Sequence, residues 1–215
     1  MRNINPILRV DSYKSSMTKQ YPPGMTGYYG YIESRGSDRH WDHTLFFGLQ
    51  AFIKEYLLTP ITAEQVEEAA SFFALHGEPF DKDMWMNVVT KHNGFIPCRI
   101  RAIEEGTIVP TRVPLVTIES TDPEFAKGCT HLETALLRAV WYPTTVATNS
   151  YYCRQVIKEY MEKTCDNLDG LNFKLHDFGA RGVSSSETAV LGGMSHLATG
   201  FMGSDTVEGI LGAKM

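Results

Sequence analysis

Residues 176 to 182 read His-Asp-Phe-Gly-Ala-Arg-Gly and follow a short apolar run, with Ser184-Ser185-Ser186-Glu187 just behind them. At the C-terminal end of a parallel strand, Phe178 offers a flat stacking face and Arg181 a planar fork for phosphate, and the next helix N-terminus adds a partial positive charge. The plain alternative is a strand-to-helix loop with glycine turns, capped by Ser184 and Glu187, and the residues alone do not separate the two. Gly203-Ser204-Asp205-Thr206 stands in the same place one strand–helix unit later. Adjacent parallel strands deliver their C-terminal loops to one rim, so Asp205 is expected near Phe178 and Arg181. Against that stands the commoner role of Asp205 or Ser204 as a helix cap, worth about 1 kcal/mol.

Other candidates carry less. Asp177-Phe178-Gly179 matches a kinase triplet, but the glycine-rich loop, VAIK lysine and HRD segment of a kinase are missing from the sequence. His40 and His43 flank Trp41-Asp42 at a spacing that could ligate metal; lacking a neighbouring Cys or His cluster, they read as a solvated loop. His176 reads as a hydrogen-bonded core histidine rather than a base. HExxH, Walker A and nucleophile-elbow motifs do not occur.

The elements that must position these residues follow from pattern. Asp11 to Gln20 suits a short helix before Pro22-Pro23, and Thr26 to Arg35 an aromatic-rich strand. Leu45, Phe46, Leu49, Ile53, Tyr56 and Leu57 form a helical stripe, predicting one helix over Trp41 to Leu58. Thr62 and Gln65 make a capping box for a helix to about Leu75, and a further helix fits Asp81 to Lys91. Arg99 to Glu105 and Val113 to Glu119 alternate as strands. Asp122-Pro123 opens a helix to Val140, and a second long helix is expected after Trp141-Tyr142-Pro143, to about Glu162. From Asn172 the grammar is strand–loop–helix twice: Phe173 to Asp177 with a helix from Ser186, then Gly200 to Met202 with a helix from Thr206. That pattern argues an α/β fold with a parallel sheet or barrel. Only 44 residues follow from Asn172 onward, too few for a closed barrel, so the expectation is the front part of something longer or one member of a two-chain assembly.

Composition excludes several classes. The 215 residues carry 20 Lys+Arg and 25 Asp+Glu, a net charge of −5, with no basic surplus for binding nucleic acid. A small phosphorylated ligand needs only two or three well-placed arginines and stays open. No apolar run reaches membrane-spanning length and no secretory leader is read. Cys98, Cys129, Cys153 and Cys165 lack a CxxC pair and read as reduced thiols, so the expected setting is the cytoplasm.

Seven spaced segments carry a resemblance. Asp11-Ser12-Tyr13-Lys14, Lys19 to Pro23, Thr121 to Glu124, Trp141-Tyr142-Pro143 with Thr145 to Ser150, Asn167 to Gly170, Lys174 to Ser185, and Gly203 to Val207 are similar, in order, to the N-terminal half of the nicotinamide phosphoribosyltransferase family. The resemblance implies transfer of phosphoribosyl from 5-phosphoribosyl-1-pyrophosphate to nicotinamide, giving nicotinamide mononucleotide and pyrophosphate in NAD salvage. It implies a type II phosphoribosyltransferase fold: an N-terminal α/β domain (1–142), then the first βα units of an irregular barrel (143–215). It implies a homodimer with shared active sites, Mg2+ accompanying the pyrophosphate substrate, and ATP in the full-length family.

By the same resemblance, Phe178 stacks on one face of the pyridine ring and Tyr13 of a second subunit on the other. Asp205 accepts from the carboxamide NH2, Arg181 holds the 5′-phosphate, Arg35 faces the pyrophosphate or nucleotide phosphates, and Asp11 supports the shared site across the interface. The histidine that the family phosphorylates lies beyond Met215, so no catalytic residue is assigned. Ala180 and Ser186 stand where relatives often carry tyrosine and glutamine. A nicotinate-type enzyme and a non-catalytic subunit needing a partner chain are the alternatives, and the 215 residues alone are expected to be inactive.

Overall fold

The computed structural model describes residues 5–36 and 41–214, so His40 lies outside the described residues. In chain order the elements are α1 (Tyr13–Met17), β1 (Tyr29–Glu33), β2 (His43–Leu45), α2 (Leu49–Phe52, continued by a π-helical turn Ile53–Leu57), α3 (Ala63–His76) and α4 (Lys82–Lys91). Then come β3 (Cys98–Ala102), β4 (Ile108–Pro110), β5 (Pro114–Ser120), 3-10 turns over Pro123–Leu132, α5 (Glu133–Thr164), β6 (His176–Asp177), α6 (Ser186–Leu197), β7 (Gly203–Ser204) and α7 (Val207–Gly212). This is the expected α/β fold class. The chain forms two compact units that interleave in sequence: residues 1–32, 50–102 and 114–138, and residues 33–49, 103–113 and 139–215.

In the first unit the sheet runs β1-β5-β3, with β3 and β5 antiparallel from Cys98↔Ser120 to Ala102↔Val116. The expected capping box starts α3: the Gln65 N–H donates to Thr62 Oγ1 at 3.3 Å, and the Thr62 N–H to Gln65 Oε1 at 3.0 Å. Asp81 caps α4 by accepting from the Met84 N–H at 3.0 Å. Ile7, Val66, Ala69, Trp85, Val88 and Phe125 belong to the apolar core between these helices. His131 is buried among them, edge-on to Trp85 at 5.0 Å, its Nε2 donating to the Ile7 carbonyl at 2.7 Å. Burial drives its pKa down to about 4, against the raising effect of that hydrogen bond, because a charged imidazole here would lose its water.

In the second unit β2 and β4 form an antiparallel ribbon, His43↔Pro110 to Leu45↔Ile108, and β6 pairs with β7 in parallel. Two sequence expectations are corrected here. Trp41 to Leu58 is not one helix: its first part is β2, whose Leu45 N–H donates to Thr148 Oγ1 at 3.0 Å, followed by Phe47, which both donates to and accepts from Thr144 Oγ1. These partners are about a hundred residues away in sequence, and local periodicity cannot register them. Nor does Pro143 end a helix, since α5 runs through it for 32 residues.

The missing N–H of Pro143 leaves the Ala139 carbonyl without its usual helical donor. Gly48, at φ +110°, brings its bare Cα over that gap; a Cβ there would lie 2.7 Å from Ala139 O and 2.6 Å from Pro143 Cγ. Also corrected is the span 123–132, which winds as 3-10 turns rather than opening an α-helix.

Two outcomes follow for stability. His131 binds its proton more weakly folded than unfolded, so its contribution is fully present above the unfolded pKa of about 6.5 and is lost as pH falls toward about 4, on the order of 3 kcal/mol in all. Urea midpoints of the first unit should therefore drop between pH 7 and pH 4.5, and His131→Gln should flatten that dependence; an unchanged slope refutes the assignment. Gly48→Ala should lower the second unit's stability by about 2 kcal/mol or more, read as a thermal shift, because both the left-handed φ and the proline contact oppose a methyl group.

Candidate functional site

The register His176↔Gly203, Asp177↔Ser204 sends the loops after β6 and β7 out of the same sheet edge, as expected for adjacent parallel strands. Asp177 ties them together. Its carbonyl accepts from the Asp205 N–H at 2.8 Å. Its carboxylate accepts from the Gly179 N–H at 2.8 Å through Oδ1 and from the Ser204 hydroxyl at 3.0 Å through Oδ2. Burial opposes ionisation of this carboxyl, but the bonds from the Gly179 N–H and the Ser204 hydroxyl, with the neighbouring Thr206 hydroxyl and His196, outweigh it and hold the pKa below the usual range.

Alternation along the strand puts His176 and Phe178 on the face opposite Asp177. Phe178 is 64% exposed, and the His176 ring packs on its ring at 4.8 Å with a 34° tilt. His176 Nε2 lies 3.0 Å from Asp205 Oδ1, and the Asp205 side chain is 63% exposed. His176 is thus hydrogen-bonded as expected but is not a core residue. The spacing His176–Phe178 on one strand face was the signal that could have placed it in the site.

Asp205 is also not a helix cap. Thr206 occupies the cap position of α7, and Ser204 Oγ accepts from the Thr206 N–H at 3.1 Å. The capping box of α6 is Ser185 with Thr188, one residue on from the expected Ser184 and Glu187. Ser186 is the first residue of that helix, and Ala180 lies with Arg181 in the exposed 3-10 turn Gly179–Gly182 directly after Phe178. Behind the loops is a cavity of about 230 Å³ lined in part by Tyr142, Val146, Phe178, Thr188 and His196. His196 is fixed there by Ser150, 3.1 Å from its Nδ1, and by stacking on Phe201 at 5.0 Å.

Phe178 and Asp205 therefore meet around His176 at one strand edge, while Arg181 stands on the exposed turn directly after Phe178. Arg35 belongs to the same unit by contact and is exposed, two residues past β1. Tyr13 and Asp11 belong to the first unit, where Asp11 accepts from the Thr134 hydroxyl at 2.7 Å and Lys14, with 5% of its side chain exposed, pairs with Glu133. Those two bonds hold the α1 turn to the start of α5 and leave the Tyr13 ring 53% exposed. His43 lies on β2 with Nδ1 on Asp42 at 2.8 Å, not in a loop. Among the described residues no three His, Cys, Asp or Glu side chains converge as a metal cage.

An exposed aromatic face beside a carboxylate acceptor, with an arginine one turn on, can hold a flat heteroaromatic ring that carries an N–H donor, next to an anion. Comparison with known proteins agrees in kind. Residues 5–100 match the N-terminal domain model of nicotinamide phosphoribosyltransferase, and residues 173–215 match the nicotinate phosphoribosyltransferase family. The chain is 47% identical to a nicotinamide phosphoribosyltransferase of Xanthomonas campestris over 98% of its own length and 44% of that protein. Against the nicotinamide phosphoribosyltransferase of Acinetobacter baylyi it is 29% identical over 96% of its length and 44% of the relative. A crystal structure of human nicotinic acid phosphoribosyltransferase superposes with a TM-score of 0.66 at 20% identity, over 94% of this chain and 37% of that one, which supports the fold. The chain spans about half the length of the curated relatives it matches. Along almost its whole length the chain is thus similar to nicotinamide phosphoribosyltransferases, of which it spans a little under half, and it has the fold of a phosphoribosyltransferase fragment.

Proposed function

We propose that these residues form the pyridine-binding part of a phosphoribosyltransferase that joins nicotinamide to 5-phosphoribosyl-1-pyrophosphate, releasing pyrophosphate. The observation that carries the reading is the exposed Phe178 ring beside the exposed Asp205 carboxylate on one strand edge. In the reaction the pyridine nitrogen forms a bond to the anomeric carbon while the carbon–oxygen bond to pyrophosphate breaks, the electron pair leaving with the diphosphate. No proton need move, so the protein's work is positioning and charge neutralisation.

Phe178 stacks on the ring without competing for its nitrogen, and Tyr13 of a second copy closes the other face in a homodimer. Asp205 accepts from the carboxamide NH2, and its negative charge favours the pyridinium that develops as the bond forms. Arg181 takes the 5′-phosphate and Arg35 the pyrophosphate side. Asp11 acts through its bond to Thr134, by holding the turn that carries Tyr13. Mg2+ accompanies the diphosphate as part of the substrate in this reading. ATP coupling is assigned to no residue here. The cytoplasm is the proposed setting, on four free cysteines; no described helix is long and apolar enough to cross a membrane.

The match of residues 173–215 to the nicotinate family favours a second reading in which nicotinate is the substrate. Asp205 separates the two. Nicotinate would place a second negative charge about 4 Å from this carboxylate, a repulsion of about 1 kcal/mol in bulk water and about 4 kcal/mol at an effective dielectric of 20. In the full-length enzyme Asp205→Asn should weaken nicotinamide use and shrink discrimination against nicotinate about tenfold or more. A preference that stays put overturns the role of Asp205. The 215 residues alone, whose described parallel sheet has two strands, should form no nicotinamide mononucleotide at a rate near that of the full-length relatives; comparable turnover by the purified chain refutes this.

A further inference from the structure

We propose that His176 is a positioning residue that turns the Asp205 carboxylate toward the substrate amide and so sharpens the choice of amide over acid; this rests on the reading of Asp205 above. A carboxylate only accepts, so across 3.0 Å it is His176 Nε2 that carries the hydrogen and donates to Asp205 Oδ1. The imidazole is itself held on three sides. Phe178 packs on its face at 4.8 Å. Asp205 takes the Nε2 edge. The Nδ1 edge lies where a side chain at position 203 would be, since a Cβ on Gly203 would sit 2.3 Å from Nδ1 and 3.0 Å from Cε1. Only glycine at 203 leaves the ring this place.

The consequence concerns Asp205 Oδ2. An exposed aspartate on a loop samples several rotamers, and each must be given up when a ligand binds. Tethering Oδ1 to a packed imidazole removes that freedom beforehand and leaves Oδ2 as the acceptor. The same ring also lies against Phe178, so a single side chain sets the acceptor relative to the stacking face. His176 needs no contact with the substrate and no proton transfer for this role, which suits a reaction that moves no proton.

The test uses the full-length enzyme with His176→Phe, which keeps a packed ring but loses the donor, and His176→Gln, which keeps an N–H at similar reach. His176→Phe should raise the nicotinamide KM about tenfold with a smaller effect on kcat, and reduce the nicotinamide-to-nicotinate preference by a similar factor. His176→Gln should recover most of both. In an Asp205→Asn background His176→Phe should change the preference no further. His176→Ala gives the same readout if the phenylalanine variant does not fold. An unchanged KM and preference in His176→Phe, in an enzyme where Asp205→Asn shifts them, overturns the inference alone, as does a glutamine variant no better than phenylalanine. An Asp205→Asn preference equal to that of the unmodified enzyme instead overturns the underlying reading.

Discussion

Asp177 is the residue through which the two loops of the candidate site are held to each other. β6 and β7 are two residues each, and a parallel pair of that length has little stability from its own ladder. The carbonyl of Asp177 extends the ladder to Asp205, while its carboxylate takes one bond from the loop after β6 and one from β7. A partly buried acid is costly to ionise, yet this one is held below the usual range by the donors around it, so the anion is the state that keeps the loops in place. Its contribution is present above the unfolded pKa and declines as pH falls through the folded one. The places of His176, Phe178 and Asp205 at this edge depend on that arrangement.

With the backbone so fixed, strand alternation divides the labour. The inward residue, Asp177, fastens the loops; of the outward pair, His176 bonds Asp205 and packs on Phe178. Phe178 is left exposed at this edge with His176 packed on it. The α1 turn shows a parallel economy in the first unit. Burying the Lys14 ammonium would be unfavourable alone, and Glu133 makes it tolerable, so the pair fixes a five-residue helix that could not persist by itself. Tyr13 is displayed by that anchorage.

Where the chemistry is local, the residues told the structure in advance. Thr62 with Gln65, and Asp81 before α4, cap helices through bonds within four residues, and both were legible. The order strand–loop–helix, twice over, was legible with its two loops at one rim, but the strand bounds were not: β6 is only His176–Asp177, with Leu171–Phe173 a 3-10 turn, and β7 is Gly203–Ser204, within what reads as the loop after Gly200 to Met202. The capping box of α6 was displaced by one residue, because Ser184-Ser185-Ser186 offers three adjacent hydroxyls and only the backbone decides which one faces the first turn.

What depended on distant partners was settled by tertiary structure. Leu45 and Phe46 have helical spacing with the residues after them, but Thr144, Thr148 and β4 supply the backbone partners that make β2 a strand. Pro143 reads as a helix end until Gly48 comes to lie against it. His176 reads as a core residue until Asp205, 29 positions on, gives it a reason to be exposed. The similarity to nicotinamide phosphoribosyltransferases and the candidacy of Phe178, Arg181 and Asp205 were legible in segment order and residue type. The bonds of His176 and Asp177 that fix these loops to each other were not, because a hydrogen bond across a parallel sheet leaves no periodic mark in either strand's own sequence.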